Sequence, residues 1–268
     1  MRSVFYFFLL LLFTQCSGIG KMNLNTHSTA LEEDSRIFES VLEQLSEENQ
    51  MSSGELMVKV GSHFLETSYV ASTLETGGDE RLIINLREMD CTTFAENCLA
   101  LTRTIKSKKP DLDRFTRELA AIRYRNAKID GYTSRLHYTT DWIYNNQQKQ
   151  LVRDVTGEIT EIPHIKTINF MSTHPDSYMH LKNNAAYVAE MVNIENDISK
   201  RDYYYIPKER IADFESQLQD GDIVAFTTSI EGLDVSHMGI LVRKNSRIHL
   251  MHASLSAKKV ELTEEPLA

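Results

Sequence analysis

Three β-rich runs, Ile223 to Phe226, Met238 to Val242 and Ile248 to Ala253, follow one another closely at the end of a chain whose earlier part carries helical periodicity. Such short connections suit an antiparallel meander, because parallel neighbours need a crossover of about a dozen residues or more. The helices upstream must then pack on that sheet, which predicts an α+β fold. Lys244, Asn245 and Ser246 supply the turn between the last two runs. A two-residue turn at Lys244-Asn245 sets His237 directly opposite His252, with Cβ atoms about 5 Å apart. A slip of one residue would destroy that pairing.

Upstream, residues 31 to 50 read as an acidic amphipathic helix, with Leu31, Ile37, Phe38, Val41 and Leu45 available for one face. Further helices are expected from Gly54 to about Leu65 and from Asp111 to Arg125. From Tyr132 to Pro207 the chain is aromatic-rich and reads as mostly irregular, with one helix near Leu181 to Val192. Long irregular stretches in a compact domain usually build binding surfaces.

Cys91, Phe94, Cys98, Leu101 and Ile105 recur at spacings of three and four, so they form one apolar helix stripe with Cys91 at its start. Two caps compete: Asp90 before Cys91, or a box of Thr93 with Glu96 slightly later. Either leaves the sulfur near the positive end of the helix dipole, which favours thiolate. A buried structural cysteine is the plain alternative. Two strand histidines downstream supply what an activated thiol needs, a base and a group that orients it.

Arg2, the apolar run Val4 to Phe13 and the small-residue segment Ser17 to Gly20 read as an export signal, which predicts a periplasmic protein. Cys16 directly follows the apolar run, so a lipid anchor through it is a second reading; Gln15 is bulkier than lipoprotein processing normally accepts. Cys91 and Cys98 would lie about 10 Å apart along a helix, too far for a disulfide, and Cys98 reads as core packing. Residues 21–268 are expected to form one domain, since the chain has only five prolines and no linker or repeat. A formal net charge of −9 without a Lys/Arg cluster argues against nucleic acid as a partner. His137, Asp141, His164, His174 and His180 match no compact metal-ligand motif, so no metal or cofactor is expected and a zinc amidase is the weaker rival.

Asp90-Cys91-Thr92, Gly221-Asp222-Ile223-Val224, His237-Met238-Gly239-Ile240 and His252-Ala253-Ser254, in that order, resemble the NlpC-type cysteine peptidases, bacterial wall hydrolases. Segments Ser68 to Glu75, Arg135 to Trp142, Asn169 to Ser172 and Leu233 to His237 are similar to one branch, the N-acetylmuramoyl-L-alanine amidase-like proteins, over about residue 54 to the end. The resemblance implies a papain-like core, with the cysteine helix packed on the antiparallel sheet and a large irregular and helical insertion. It implies cleavage of the amide between the muramoyl lactyl group and L-alanine, on muropeptide fragments with an anhydro sugar; the protein is expected to be a monomer. Other members of the superfamily cut between D-glutamate and the diamino acid, and a non-catalytic wall-binding module is a further alternative. The family runs on through another strand, whereas this sequence stops at Ala268.

Cys91 is then expected to be the nucleophile, His237 the base and His252 its orienter, with the Cys91 N–H and the Tyr69 hydroxyl as candidate oxyanion donors; Tyr69 reads equally well as core aromatic packing. Asp90, Arg135, His137, Tyr138, Asp141, Trp142, Asp234 and Ser236 are the expected substrate-binding residues. The stretch Arg135 to Trp142 mixes a cation, a carboxylate and aromatics suited to a sugar face and a peptide carboxylate. A structural reading of the same stretch has Tyr138 and Trp142 anchoring a loop, with Arg135 and Asp141 as an internal ion pair.

Overall fold

The computed structural model describes residues 6–11 and 32–268. Cys16, the processing segment Ser17 to Gly20 and Leu31 lie outside the described residues. Residues Tyr6–Leu11, within the apolar N-terminal run, form strand β1, antiparallel to a later strand near the end of the chain.

Helices α1 (Glu32–Leu45) and α2 (Ser53–His63) come first. α2 starts where it does because Ser52 accepts from the Glu55 N–H while Glu55 reaches back to the Ser52 N–H. The short strands β2 (Ser68–Tyr69) and β3 (Glu88–Met89) then lead into α3 (Cys91–Ile105) and α4 (Leu112–Arg123). Phe94, Cys98, Leu101 and Ile105 are all buried, so the apolar stripe faces the core as its spacing requires.

The insertion follows: α5 (Thr139–Gln148), β4 (Arg153–Asp154), α6 (Thr156–Ile159), α7 (Phe170–Thr173), α8 (Ala185–Ser199), β5 (Ile206–Pro207) and α9 (Ile211–Phe214). It is more helical than the sequence suggests, and the helix expected at 181–192 instead occupies 185–199. Asn184 sets its start by accepting from the Tyr187 N–H at 3.1 Å. Tyr132, Tyr138, Met171, Leu181, Met191 and Ile198 give this region its own apolar cluster. At its centre Glu195 accepts from the Tyr138 hydroxyl at 2.6 Å and the Ser172 N–H at 3.0 Å.

The chain ends in the meander β6 (Ile223–Thr227), β7 (Val235–Lys244), β8 (Arg247–Ser254) and β9 (Lys259–Leu262). One sheet runs in the order β3-β2-β9-β8-β7-β6-β1-β4, with β5 also paired to β1; β2–β3 is parallel and the other pairs are antiparallel. Met238, Ile240, Val242, Met251, Ala253 and Val260 turn one face toward the core that contains α3, while Leu241, Ile248 and Leu250 face a second cluster with Ile206 and Ile211. After β9 the tail stays beside β8, with the Thr263 and Leu267 N–H groups donating to Leu250 and Ile248 at 2.9 and 2.7 Å.

The hairpin register differs from expectation by two positions. Asn245 and Ser246, both with positive φ (53° and 67°), form the turn, so Lys244 pairs with Arg247 and Ile240 with Met251. Continued by one residue, the register sets Gly239, not His237, opposite His252. A slip of two preserves the face, so both histidines still share one side of the sheet.

Candidate active site

Asp90 caps α3, with φ −94° and ψ −179°. Its carboxylate accepts from the Thr93 N–H at 2.8 Å, and the Thr93 hydroxyl accepts from the Asp90 N–H at 2.9 Å. This reciprocal box resolves the choice of caps. Glu96 is no cap, because it is buried beneath, accepting from Arg123 Nε at 2.7 Å and Trp142 Nε1 at 3.2 Å. Cys91 is therefore the first helical residue, beside unpaired N–H groups.

The Cys91 sulfur accepts a hydrogen bond from the Met238 N–H on β7. Between β7 and β8 the paired register runs from Ile240 and Met251 to Lys244 and Arg247, and α3 packs against both strands. Here the electrostatics differ from expectation. Burial pushes the thiol up to about 11 and the Asp90 carboxylate adds to the push, against the Met238 and Thr92 hydrogen bonds. Desolvation of the charged form outweighs the helix end. At neutral pH the resting group is a thiol. Cys98 is fully buried, burial raises its thiol as well, and both cysteines are free.

His237 Nε2 and His252 Nδ1 lie 2.6 Å apart, with ring centroids at 4.8 Å and planes at 83°. Burial, then His252, brings His237 down to about 4, so the imidazole is neutral near pH 7. Burial also lowers His252, opposed by the Glu261 carboxylate. Glu261 is the register partner of His252 on β9, its Oε1 3.6 Å from His252 Nε2. Sequence reasoning missed Glu261; its signal was strand alternation, which puts every second β9 side chain on the histidine face.

Tyr69 sits on β2, paired with Met89 immediately before Asp90. Burial, then the nearby charges of Cys91 and Asp90, raises its hydroxyl, which keeps the proton and can donate. A cleft of about 430 Å³ opens beside Asp90 and Thr92 and is bounded further out by Tyr132, Arg135, His137 and Tyr178.

The other expected binding residues divide. Arg135 lines the cleft, but its partners are Glu75 at 2.7 Å and Glu80 at 3.4 Å, not Asp141. His137 also lines it; its Nε2 is 2.9 Å from the Tyr132 carbonyl oxygen, and burial lowers it well below the usual histidine range. Ser236 is exposed next to His237. Tyr138, Asp141, Trp142 and Asp234 turn inward. Asp141 accepts from Arg125 at 2.6 Å and Arg201 at 2.7 Å, and Asp234 accepts from the Thr140 N–H and hydroxyl at 2.8 and 2.9 Å. None of these four lines the cleft. The structural reading is right that Tyr138 and Trp142 anchor the segment and wrong about its ion pair.

The histidines of the zinc alternative are dispersed: His174 Nδ1 is 2.9 Å from the Phe170 carbonyl oxygen, and His180 Nε2 is 2.8 Å from that of Thr76. Among the described residues no three His, Cys, Asp or Glu side chains converge as metal donors.

Comparison with known proteins follows the same lines. The chain is similar to the crystal structure of an N-acetylmuramoyl-L-alanine amidase from Bacteroides uniformis, with 43% identity and a TM-score of 0.78 over 81% of this chain and 92% of that one. A Bacteroides fragilis protein described as a candidate xylanase is 42% identical, with a TM-score of 0.74 over 78% and 91% of the two chains. A Legionella pneumophila protein at 20% identity and a TM-score of 0.60, over 85% and 87%, shares the fold alone. No curated protein sequence matches. The family model described as N-acetylmuramoyl-L-alanine amidase-like matches residues 59–268, a span holding Tyr69, Cys91 and both histidines, and the chain belongs to that family.

Proposed function

We propose that the chain is a cysteine-dependent amidase that cleaves the amide between the muramoyl lactyl group and L-alanine in muropeptide fragments. The observation that carries this reading is the placement of Cys91 at the first turn of α3, its sulfur on the N–H of Met238, the residue that follows His237, whose ring is paired with His252. A thiol near 11 and an imidazole near 4 do not form an ion pair at rest. The proton therefore moves to His237 as the sulfur attacks the amide carbon. The imidazolium then gives that proton to the departing L-alanine nitrogen as the C–N bond breaks, leaving a lactyl thioester on Cys91. Water attacks the thioester, His237 takes its proton and returns it to the sulfur, and the lactyl carboxylate leaves. The Cys91 N–H and the Tyr69 hydroxyl supply the oxyanion with two donors, each typically worth about 3–4 kcal/mol.

A glycosidase reading, prompted by the Bacteroides fragilis relative, finds less support. It needs two carboxyl groups facing a scissile bond, but each cleft carboxylate has internal partners: Asp90 caps α3, Glu75 holds Arg135 and Glu96 holds Arg123. On the reading of residues 2–20 as an export signal, whose removal takes β1 out of the sheet, the enzyme works as a monomer in the periplasm, tethered through Cys16 if that residue carries lipid.

Mass spectrometry of defined muropeptides after incubation tests the reading. Free L-alanyl-D-glutamyl peptide with peptide-free sugar is the expected outcome. A sugar that retains L-alanyl-D-glutamate would make the protein an endopeptidase, and binding without turnover would make it a wall-binding module.

A further inference from the structure

We infer that Glu261 is a positioning residue of the reaction: it fixes the proton arrangement of the His237–His252 pair so that His237 presents a bare Nδ1 to the thiol. This rests on the amidase reading for its catalytic consequence but not for its geometry. Glu261 and His252 are direct partners across β8–β9, and His237 shares their face, so the three side chains form one row.

Two neutral imidazoles can approach to 2.6 Å only if one donates and the other accepts. In the first arrangement His237 Nε2–H donates to His252 Nδ1, which leaves His237 Nδ1 without a proton and places a proton on His252 Nε2. In the second, His252 Nδ1–H donates to His237 Nε2, His237 Nδ1 carries the proton and cannot act as a base. The two arrangements differ in what His252 Nε2 turns toward Glu261. An N–H facing a carboxylate oxygen at 3.6 Å is favourable, whereas a lone pair facing it is repulsive. Glu261 thus selects the first arrangement, the one that leaves His237 able to take the thiol proton. When His237 becomes imidazolium, the same carboxylate stabilises the charge through His252.

The surroundings leave this role to Glu261. From β6 the neighbour of His237 is the Phe226 ring, with centroids 6.0 Å apart. From β9 the other charge is Lys259, whose ammonium is held by Glu66 at 2.7 and 2.8 Å. Asp90 and Tyr69 lie on the Cys91 side of the site.

The test combines imidazole ¹⁵N NMR at pH 8 with steady-state hydrolysis, on the wild type, Glu261→Leu and Glu261→Gln. In the wild type both histidines should be protonated at Nε2. Glu261→Leu should populate the arrangement protonated at Nδ1 and lower kcat about tenfold, the lower end of what removal of a carboxylate partner costs at metal-bound imidazoles, with KM changed by less than about threefold. Glu261→Gln keeps an acceptor and should restore the wild-type tautomers. Unchanged tautomers in Glu261→Leu would overturn the inference. The NMR readout needs no substrate, so a protein that fails to cleave muropeptides but shows the tautomer change would refute the amidase reading and leave the role of Glu261 standing.

Discussion

His237 Nε2 meets His252 Nδ1 at 2.6 Å although the two residues are diagonal neighbours, two positions away from direct opposition in the β7–β8 hairpin. The diagonal approach crosses Gly239. A Cβ there would lie 2.7 Å from Leu250 Cδ1, 2.8 Å from the Met251 carbonyl oxygen and 3.0 Å from His252 Cβ. The backbone oxygen cannot rotate away, so Gly239→Ala must displace β8 against β7. The expected cost is about 1–3 kcal/mol in urea unfolding, with hydrolysis lowered about a hundredfold, the scale of a 1 Å misplacement. Wild-type turnover in this variant would show that the pairing does not depend on the close approach of the strands.

The resting thiol and neutral imidazole set the pH behaviour. Alkylation of Cys91 by iodoacetamide should rise steadily toward the thiol value of about 11, without a plateau on the acid side. A plateau between pH 5 and 7 would reveal a preformed thiolate–imidazolium pair and sink the neutral ground state (about the range in which unperturbed histidine titrates). Stability follows from the same shift. The folded value of His237, about 4, lies below its unfolded value of about 6.5. Above the unfolded value neither state binds the proton. As pH falls from about 6.5 toward 4 the unfolded chain gains it first, so stability drops across that window and levels below it. A melting-temperature series should show this fall, reduced in His237→Ala.

Asp90 has two roles of opposite sign: its oxygen caps α3, and its charge raises the Cys91 thiol. Asp90→Asn keeps an acceptor and removes the charge. The thiol should therefore titrate at lower pH, followed by thiolate absorbance, with stability nearly unchanged. Asp90→Ala removes both and should cost about 0.5–2 kcal/mol of stability. An Asn variant whose thiol titrates as in the wild type would remove Asp90 from the electrostatics of the site.

Much of this was legible in the residues because it rests on short-range rules. The stripe from Cys91 to Ile105, the Asp90 cap and the alternation of the last strands are all set within a few positions of sequence. The hairpin register was misjudged by two because Lys244, Asn245 and Ser246 all suit a turn, and only the positive φ of Asn245 and Ser246 selects the pair. The thiol was misjudged for a different reason. A helix start is visible in sequence, whereas the desolvation that overrides it comes from β7 packing on α3, nearly 150 positions away (about the Cys91 to Met238 separation). Arg135 was paired with Asp141 by nearness in sequence, but its carboxylates come from Glu75 and Glu80 on the far side of α3 in the chain.

Trp142, the single tryptophan, reports directly on whether the Arg135 to Trp142 segment touches substrate. It is 2% exposed, and its Nε1–H donates to Glu96, whose other oxygen holds Arg123. A buried indole tied to an internal carboxylate has no face left for a sugar. Its fluorescence should be blue-shifted, resist quenching by iodide and stay unchanged on saturation with a muropeptide. Trp142→Phe should leave KM within about twofold, yet lower stability by about 1–3 kcal/mol, because Glu96 loses a buried donor. Quenching by muropeptide together with a raised KM in the Phe variant would place the indole in the binding site, and the segment would then act as the sugar platform.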